Sequence, residues 1–263
     1  MEVVLTGAAG GLGRPLACRL AAEHEVTALD RADLSGLPAG TDTRRVDLTD
    51  HRAVEAALDG VDADVFVSAA GWYELAAIED CPPDALREHL EANLLAVHTP
   101  VHALLPTLRE REGQVVVIGS LVGSVPLPYH GAYSAAKAGL DGYLASLRRE
   151  IEPRGVTVSL VEPGPVRTGF NERAAAALDR IEDSSYADQY RAFDSYAPEA
   201  TEREPVVDTV LEALRADTPR ARYRVSRRAR WLPRLEAVLP TRLFDRIVRS
   251  GLPGGLLHRL IDR

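Results

Sequence analysis

Short apolar runs and longer segments of helical periodicity alternate along the first 161 residues of the chain. This alternation predicts repeated β-α-β units, and therefore a parallel sheet. The predicted strands are Val3–Thr6, Glu25–Leu29, Thr43–Val46, Asp64–Ser68, Gln114–Ile118 and Val156–Val161. The predicted helices are Leu12–Glu23, Arg52–Leu58, Pro83–Arg109 and Tyr133–Glu152.

Several of these strands are apolar at every position, as in Val115–Ile118. A strand of this kind is expected to have helices on both faces, because a strand with one face in water alternates apolar and polar residues. The sequence therefore predicts a single-domain α/β fold, with a doubly wound parallel sheet in a three-layer α/β/α sandwich.

The pattern changes after Val161. Residues 162–204 hold no convincing strand, and a loop of this length in a compact domain is commonly a lid over a binding site. The sheet is predicted to resume with a helix at Pro205–Ala216 and a strand at Arg222–Ser226. We therefore expect the sheet domain to span residues 1–226 and residues 227–263 to form an extension.

Composition narrows the class of protein. The 263 residues are 46% hydrophobic and 27% charged, which fits one globular domain with a full core. Cys18 and Cys81 lie outside any Cys/His cluster, so neither a disulfide framework nor a metal site is predicted. No apolar run approaches the length of about 18 residues that a membrane span needs, and no basic region precedes the first strand. We expect a soluble cytoplasmic protein.

Charge is unevenly distributed along the chain. The net charge of −8 argues against a nucleic-acid-binding protein, because binding to phosphates requires a basic face. Residues 201–263 nevertheless carry 14 arginines against 8 acidic residues. Arginine supplies 30 of the 31 basic residues, and the single lysine is Lys137.

A glycine-rich turn connects the first strand to the first helix. Glycines at Gly7, Gly11 and Gly13 allow the backbone to approach a pyrophosphate, which the helix N-terminus stabilises with its free N–H groups and its dipole. The spacing differs from the dinucleotide fingerprint G-x-G-x-x-G, and glycine-rich turns also end many strands that bind nothing. The turn alone leaves both interpretations open.

A carboxylate ends the second strand at Asp30, 17 residues after Gly13. In this position it can accept hydrogen bonds from both hydroxyls of an adenosine ribose and repel a 2′-phosphate, which favours NAD over NADP. Arg31 opposes this preference, because an arginine beside that position can bind the phosphate. Asp30 can also be the first residue of an ordinary turn.

Tyr133 and Lys137 are four residues apart, so a helix places the phenol and the ammonium on one face. The cation is expected to lower the pKa of the tyrosine from about 10 toward the range useful in acid–base catalysis. The same spacing also occurs in solvated helical pairs. The position of the chain's one lysine favours the catalytic interpretation, because arginine lacks the compact ammonium and keeps its proton at any accessible pH.

Ser120 follows the strand Gln114–Ile118, at the edge where doubly wound sheets bind their ligands. It precedes Tyr133 by 13 residues across a loop rich in glycine and proline, so the two hydroxyls can converge on one substrate oxygen. By itself, a serine after a strand is more often a turn residue.

Taken together, these residues resemble the short-chain dehydrogenase/reductase family. The similarity covers about residues 2–226, and every motif occurs in the family's order. The motifs are Thr6-Gly7-x-x-x-Gly11-x-Gly13, Asp30, Asp47, Ala70-Gly71, Asn93, Ser120, Tyr133-x-x-x-Lys137 and Pro163-Gly164-x-Val166-x-Thr168. The resemblance implies a Rossmann-like fold and an NAD(P)-dependent oxidoreductase acting on a secondary alcohol or ketone. We also expect a homo-oligomer.

The resemblance assigns a role to each motif residue. Tyr133 is implied to be the acid/base, Ser120 to orient the reacting oxygen, and Lys137 to hold the nicotinamide ribose and tune Tyr133. Asn93 is implied to hold a water in the proton relay behind Lys137. The implied cofactor contacts are Gly7, Gly11, Leu12 and Gly13 at the pyrophosphate, Asp30 at the ribose, Asp47 and Leu48 at the adenine, Val166 and Thr168 at the nicotinamide amide, and Ala70 and Gly71.

The chain departs from the family pattern at Ser68-Ala69-Ala70-Gly71, where the family commonly has Asn-Asn-Ala-Gly. The departure removes an amide that is usually assigned to bracing the sheet. It concerns a structural hydrogen bond and leaves the chemistry in place.

Tyr186, Tyr190 and Phe193 follow the spacing i, i+4 and i+7 in the predicted lid, so one helix face is expected to be aromatic. Such a face can close an apolar pocket, and these residues are predicted to bind substrate together with Ser120 and Tyr133. It can equally pack on the body as ordinary core. The first interpretation favours a lipophilic alcohol or ketone as substrate, and a small polar hydroxy compound is the alternative.

Arginines and helically spaced apolar residues occur together in the extension, residues 227–263. The pattern is typical of an amphipathic segment with weak contact to a membrane surface, and equally of a helix that docks on its own body or on a partner subunit. No stacking platform accompanies the arginines, so nucleic acid binding is not expected. A non-catalytic NAD-binding regulator is the alternative to an enzyme, although such proteins usually lack the tyrosine or the lysine.

Overall fold

Seven strands form a single parallel sheet in this computed structural model, which describes residues 1–193 and 200–251. The strands are β1 (Glu2–Thr6), β2 (Glu25–Asp30), β3 (Asp42–Arg45), β4 (Val65–Ser68), β5 (Gln114–Ile118), β6 (Thr157–Glu162) and β7 (Arg222–Arg224). Their order in the sheet is β3-β2-β1-β4-β5-β6-β7, and each neighbouring pair is parallel. The predicted parallel sheet is confirmed.

Helices cover both faces of the sheet. They are α1 (Gly13–Leu20), α2 (His51–Leu58), α3 (Pro83–Leu90), α4 (Ala96–Glu110), α5 (Leu121–Ser124), α6 (Gly131–Ile151), α7 (Phe170–Ala175), α8 (Ala187–Phe193), α9 (Arg203–Arg215), α10 (Arg227–Val238) and α11 (Thr241–Ser250). The fold class predicted from the sequence, a Rossmann-like three-layer sandwich, is confirmed.

Each face of the sheet buries its own apolar cluster. One cluster contains Leu16 of α1 and Val210 of α9, and the other contains Leu104 of α4 and Leu140 of α6. Val4 of β1 belongs to the second cluster, whereas its two neighbours in the strand belong to the first. The strands are apolar throughout because both of their faces are removed from water.

The sheet has its topological switch point between β1 and β4. From β1 the chain first adds strands on one side of the sheet and then crosses to add the remaining strands on the other side. The loops that leave the carboxyl ends of these two strands therefore diverge, and they open a crevice of the kind in which doubly wound sheets bind ligands.

The structure corrects two local predictions. The helix predicted at Pro83–Arg109 is divided by a π-helical segment, Glu91–Leu95, into α3 and α4. The strand predicted to end at Ser226 ends at Arg224, because the Ser226 hydroxyl accepts a hydrogen bond from the Ala229 backbone and caps α10. The predicted lid contains two short helices, α7 and α8, in its described part.

Residues 194–199 of the predicted lid and residues 252–263 of the predicted extension lie outside the described part of the chain. Across residues 1–193 and 200–251, no helix combines the length and the apolar character that a bilayer span requires.

Candidate active site

The glycine-rich turn after β1 is too tight for side chains at two positions. Gly7 has a positive φ of 74°, and a Cβ on it would lie 2.4 Å from the backbone nitrogen of Ala70. A Cβ on Gly13 would lie 1.9 Å from the carbonyl oxygen of Gly7. The turn therefore requires glycine at both positions. It presents bare backbone at the start of α1, which fits the pyrophosphate of a dinucleotide.

A second contact brings the turn against the segment that follows β6. A Cβ on Gly11 would lie 2.6 Å from the Cβ of Thr168, so these two backbones approach closely. Gly11, Leu12, Val166 and Thr168 all line one cleft, together with Ala70 and Gly71 after β4. The residues predicted to contact the pyrophosphate are thus adjacent to those predicted to contact the nicotinamide amide.

Asp30 lies at the end of β2 beside the same turn. One of its carboxylate oxygens accepts a hydrogen bond from the backbone nitrogen of Ala9 at 3.0 Å, and the other from that of Ala32 at 2.9 Å. Each oxygen has a further lone pair, so ribose hydroxyls can still donate to the carboxylate. A 2′-phosphate at this place would meet its negative charge.

Asp47, predicted to contact the adenine, pairs with Arg31 at 3.6 Å. Hydrogen bonds from the Thr49 backbone and hydroxyl, together with the Arg31 charge, lower the pKa of the Asp47 carboxyl. The ion pair directs Arg31 toward Asp47, which leaves Asp30 as the charge beside the glycine-rich turn. Leu48, the other predicted adenine contact, packs at the edge of the core cluster that contains Leu140.

Ser120, Tyr133 and Lys137 meet beyond the ends of β4 and β5. The Ser120 hydroxyl caps α5 by accepting a hydrogen bond from the Val122 backbone at 3.3 Å. The Lys137 Nζ lies 5.7 Å from the centre of the Tyr133 ring and donates to the Ile118 carbonyl at 3.4 Å. Tyr133 and Lys137 are only 6% and 4% exposed. The structure thus brings together three of the four side chains to which the sequence assigns a catalytic role, the fourth being Asn93.

Burial controls the protonation of the tyrosine and the lysine. It raises the pKa of Tyr133, against the opposing effect of the Ser120 side chain, and it lowers the pKa of Lys137 to about 8. The expectation that Lys137 lowers the pKa of Tyr133 is therefore wrong for this arrangement. Removal from water disfavours the charged form of each group. At neutral pH Tyr133 keeps its proton and can donate it.

Asn93 lies in the π-helical segment, completely buried. Its Oδ1 accepts a hydrogen bond from the Trp72 backbone at 3.2 Å, and its Nδ2 donates to the Trp72 and His89 carbonyls at 2.7 and 2.9 Å. The side chain therefore braces the segment that follows β4. A Cβ on Gly71 would lie 3.8 Å from the Lys137 Nζ, which places that segment against the lysine. That Asn93 holds a water stays a prediction.

An aromatic wall that the sequence did not predict forms one side of the cleft. Tyr73 stacks on Tyr133 with ring centres 4.5 Å apart, and its hydroxyl donates to Asn171 at 2.9 Å. The Phe170 ring contacts both tyrosines. His130 stacks on Tyr73 with ring centres 5.7 Å apart, and burial lowers the pKa of its imidazole. The signal that could have identified Tyr73 is its place two residues after Gly71, in the segment that follows β4.

The lid aromatics lie behind this wall. Tyr190 and Phe193 are buried in a cluster that contains Tyr73 and Tyr133, and Tyr186 packs at its edge. Among the described residues, Tyr73 and Tyr133 line the cleft, but none of these three lid side chains does. The structure therefore places the lid residues as support for the wall, and direct contact with substrate stays a prediction.

A hydrogen-bonded latch holds the lid against the segment after β4. The Tyr190 hydroxyl accepts a hydrogen bond from the Ala77 backbone at 2.8 Å and donates to the Asp80 carboxylate at 2.5 Å. The Ser184 hydroxyl donates to the same carboxylate. Burial and the adjacent Asp80 raise the pKa of Tyr190 to about 12, so the phenol keeps the proton that the latch needs.

A buried carboxylate behind the cleft joins four elements. Glu162, the last residue of β6, is 1% exposed and accepts hydrogen bonds from Ser124 at 2.5 Å, Arg222 at 2.6 Å and Arg224 at 3.0 Å. Arg222 also pairs with Asp141 of α6. The network ties α5 to α6, the two helices that hold the predicted catalytic hydroxyls at their first turns.

We expect Glu162→Gln to lower the free energy of unfolding by about 3 kcal/mol, because it removes the carboxylate that two partly buried arginines share and leaves Arg222 with Asp141 alone. Urea denaturation followed by circular dichroism measures the loss. Glu23→Gln is the matched control: Glu23 pairs with Arg215 on the surface at 3.1 Å, so its loss should stay below about 1 kcal/mol. Equal losses in the two variants would contradict the structural role of the Glu162 network.

Comparison with known proteins identifies relatives over most of the chain. The sequence model of the family described as short chain dehydrogenase matches residues 2–179. The chain is 31% identical over 249 residues to human 17-beta-hydroxysteroid dehydrogenase type 1, covering 84% of this chain and 76% of the relative. It is 27% identical over 260 residues to the probable short-chain type dehydrogenase/reductase VdlC of Helicobacter pylori, covering 94% and 96%.

The fold also matches that of solved structures. One is a short chain dehydrogenase from Burkholderia cenocepacia in complex with NADP, which superposes with a TM-score of 0.78 over 93% of this chain and 96% of that chain. Its sequence identity is 24%, so this similarity shows the shared fold alone.

Proposed function

The chain belongs to the short-chain dehydrogenase/reductase family, and we propose that it transfers a hydride between a nicotinamide cofactor and a hydrophobic secondary alcohol or ketone. Enzymes of this family are NAD(P)-dependent oxidoreductases that act on CH–OH groups. The observation that carries the proposal is the convergence of Ser120, Tyr133 and Lys137 in a cleft that the aromatic side chains of Tyr73 and Phe170 also line.

Each of the three side chains in the cleft has a separate role in this proposed reaction. When bound, the nicotinamide supplies or accepts the hydride. Tyr133 donates its proton to the carbonyl oxygen during reduction and takes the hydroxyl proton during oxidation. Ser120 donates a hydrogen bond to the same oxygen and fixes its position. Lys137 holds the cofactor ribose with its ammonium and supplies the nearby positive charge.

The shape and chemistry of the cleft favour a lipophilic substrate. Tyr73 and Phe170 form the aromatic wall, and Val122 and Leu127 add aliphatic surface. An apolar wall with few polar groups near the reacting atoms is typical of a site that binds a hydrophobic ligand. The human relative, whose name describes it as a hydroxysteroid dehydrogenase, gives independent support.

Turnover of a panel of alcohols tests the proposal. We expect the purified protein to reduce NAD with lipophilic secondary alcohols, including hydroxysteroids, and to show much lower kcat/KM with sugars and hydroxy acids. Turnover of the polar compounds alone would overturn the assignment of substrate class. Cofactor binding without turnover of any compound, in either direction, would favour a non-catalytic regulator.

We further propose that NAD is the preferred cofactor and expect Asp30→Asn to shift this preference toward NADP by about tenfold. The change keeps the shape and one acceptor oxygen, and it removes the charge that repels a 2′-phosphate. The ratio of kcat/KM for the two cofactors measures it. Asp33→Asn is the matched control, because Asp33 is a nearby exposed carboxylate already bonded to Ser35. An unchanged ratio for Asp30→Asn would mean that another residue selects the cofactor.

We propose that the protein works in the cytoplasm as a homo-oligomer. Size-exclusion chromatography with light scattering tests the assembly, and a monomer at micromolar concentration would contradict it.

A further inference from the structure

Two helices near the end of the described chain form a hairpin with two different faces. We call α10 and α11, residues 227–250, the basic hairpin. Its inner face packs on α5, where Ala229 and Phe244 are buried with Leu121 and Val125. Leu127, which lines the cleft, packs at the edge of this cluster, so the hairpin lies beside the cleft.

The outer face of the basic hairpin is apolar and exposed. Trp231, Leu235 and Val238 follow the spacing i, i+4 and i+7 on α10 and are 57%, 37% and 76% exposed. Leu243 of α11 is 44% exposed. These are four of the seven large hydrophobic side chains that the described residues expose. An apolar surface concentrated in this way marks an interaction site.

Seven arginines surround this apolar stripe. They are Arg227, Arg228, Arg230, Arg234, Arg242, Arg246 and Arg249, and all are exposed. Within the described part of the chain none of them forms an ion pair, whereas body arginines such as Arg111 and Arg215 pair with carboxylates. The Arg234 guanidinium lies 5.3 Å from the centre of the Trp231 ring. The hairpin thus presents cations for which residues 1–193 and 200–251 supply no counterion.

We propose that the basic hairpin binds the surface of membranes that contain anionic lipids. Lipid phosphates and carboxylates supply the counterions for the arginines, and Trp231, Leu235 and Val238 enter the boundary between headgroups and acyl chains. Residues 1–200 carry a net charge of −14 and are repelled by the same surface, which directs the hairpin toward it. A second copy of the chain, with its acidic body, is the competing occupant.

Co-sedimentation of the whole protein with vesicles tests the proposal. We expect binding to phosphatidylcholine vesicles that contain phosphatidylserine, and at least about tenfold weaker binding to phosphatidylcholine alone or in about 0.5 M salt. The double variant Arg234→Glu with Arg242→Glu should lower the partition coefficient at least about tenfold. Its control, Arg109→Glu with Arg149→Glu, makes the same charge change on α4 and α6, and its partition coefficient should stay within about threefold of the wild type.

Three results of the vesicle assay would overturn the proposal: no binding to anionic vesicles at low salt, equal binding to both kinds of vesicle, or equal losses in the hairpin variant and the body control. Size-exclusion chromatography identifies the competing occupant. A dimer that the hairpin variant abolishes, with vesicle binding unchanged, assigns the face to a second copy and also overturns the proposal. Circular dichroism confirms that both double variants are folded.

Discussion

Replacing Tyr133 by phenylalanine is expected to lower kcat by about 10²–10⁴-fold, the usual contribution of a positioned acid–base group. The change removes only the hydroxyl that exchanges a proton with the substrate oxygen. The ring, which stacks on Tyr73 at 4.5 Å, is kept, so the aromatic wall should survive. We therefore expect the dissociation constant for NAD, measured by calorimetry, to stay within about twofold of the wild type.

The matched control is Tyr143→Phe. Tyr143 lies on the same helix, and its hydroxyl also makes a hydrogen bond, to His98 at 3.1 Å, but it lies outside the cleft. This variant should keep its kcat. Full turnover by Tyr133→Phe, or an equal loss in both variants, would show that the proton passes through another group.

The parts of the molecule that depend on local pattern were predictable from the sequence. β5 is apolar at every position because helices cover both of its faces, and its predicted bounds are those observed. Gly7 was predictable because its turn needs a positive φ and a close backbone approach. The meeting of Ser120 and Tyr133 was predictable because both residues follow β5, at the carboxyl edge of the sheet and across one loop rich in glycine and proline.

Contacts between distant segments were not predictable in this way. Tyr73 bonds to Asn171, 98 positions later, and Glu162 bonds to Arg222, 60 positions later. No periodicity or motif marks either pair. The reversed pKa shift of Tyr133 has the same origin, because the extent of its burial depends on side chains contributed by the lid and by the segment after β4.

In the lid, the periodicity predicted the aromatic helix face correctly but did not determine what this face contacts. The spacing of Tyr186, Tyr190 and Phe193 predicted one aromatic helix face, and two of these side chains are indeed buried together. Periodicity identifies a face that is removed from water, but it does not identify what covers that face. Here the Tyr129 ring covers it, at the edge of the buried cluster that also contains the cleft residues Tyr73 and Tyr133.

Lys137→Arg is expected to lower kcat/KM by about 10²-fold although it keeps the positive charge. Lys137 is 4% exposed, and its Nζ fits between the Ile118 carbonyl and the backbone near Gly71. A planar guanidinium is larger and needs more hydrogen-bond acceptors, so it must displace its neighbours. A displacement of about 1 Å among reacting groups is enough for a loss of this size. Arg149→Lys, the reverse exchange at an exposed site of the same helix, should leave the rate unchanged.

The pH profile separates loss of the ammonium from simple disruption. Burial lowers the pKa of Lys137 to about 8, so the side chain is charged below that pH and neutral above it. In the wild type, kcat/KM for the cofactor, which reports groups of the free enzyme, should therefore fall as the pH rises through about 8. Arginine keeps its proton throughout this range, so the residual activity of Lys137→Arg should lack that decline. A variant with wild-type activity, or with the same alkaline decline, would show that the chain's single lysine is not the group that holds the cofactor.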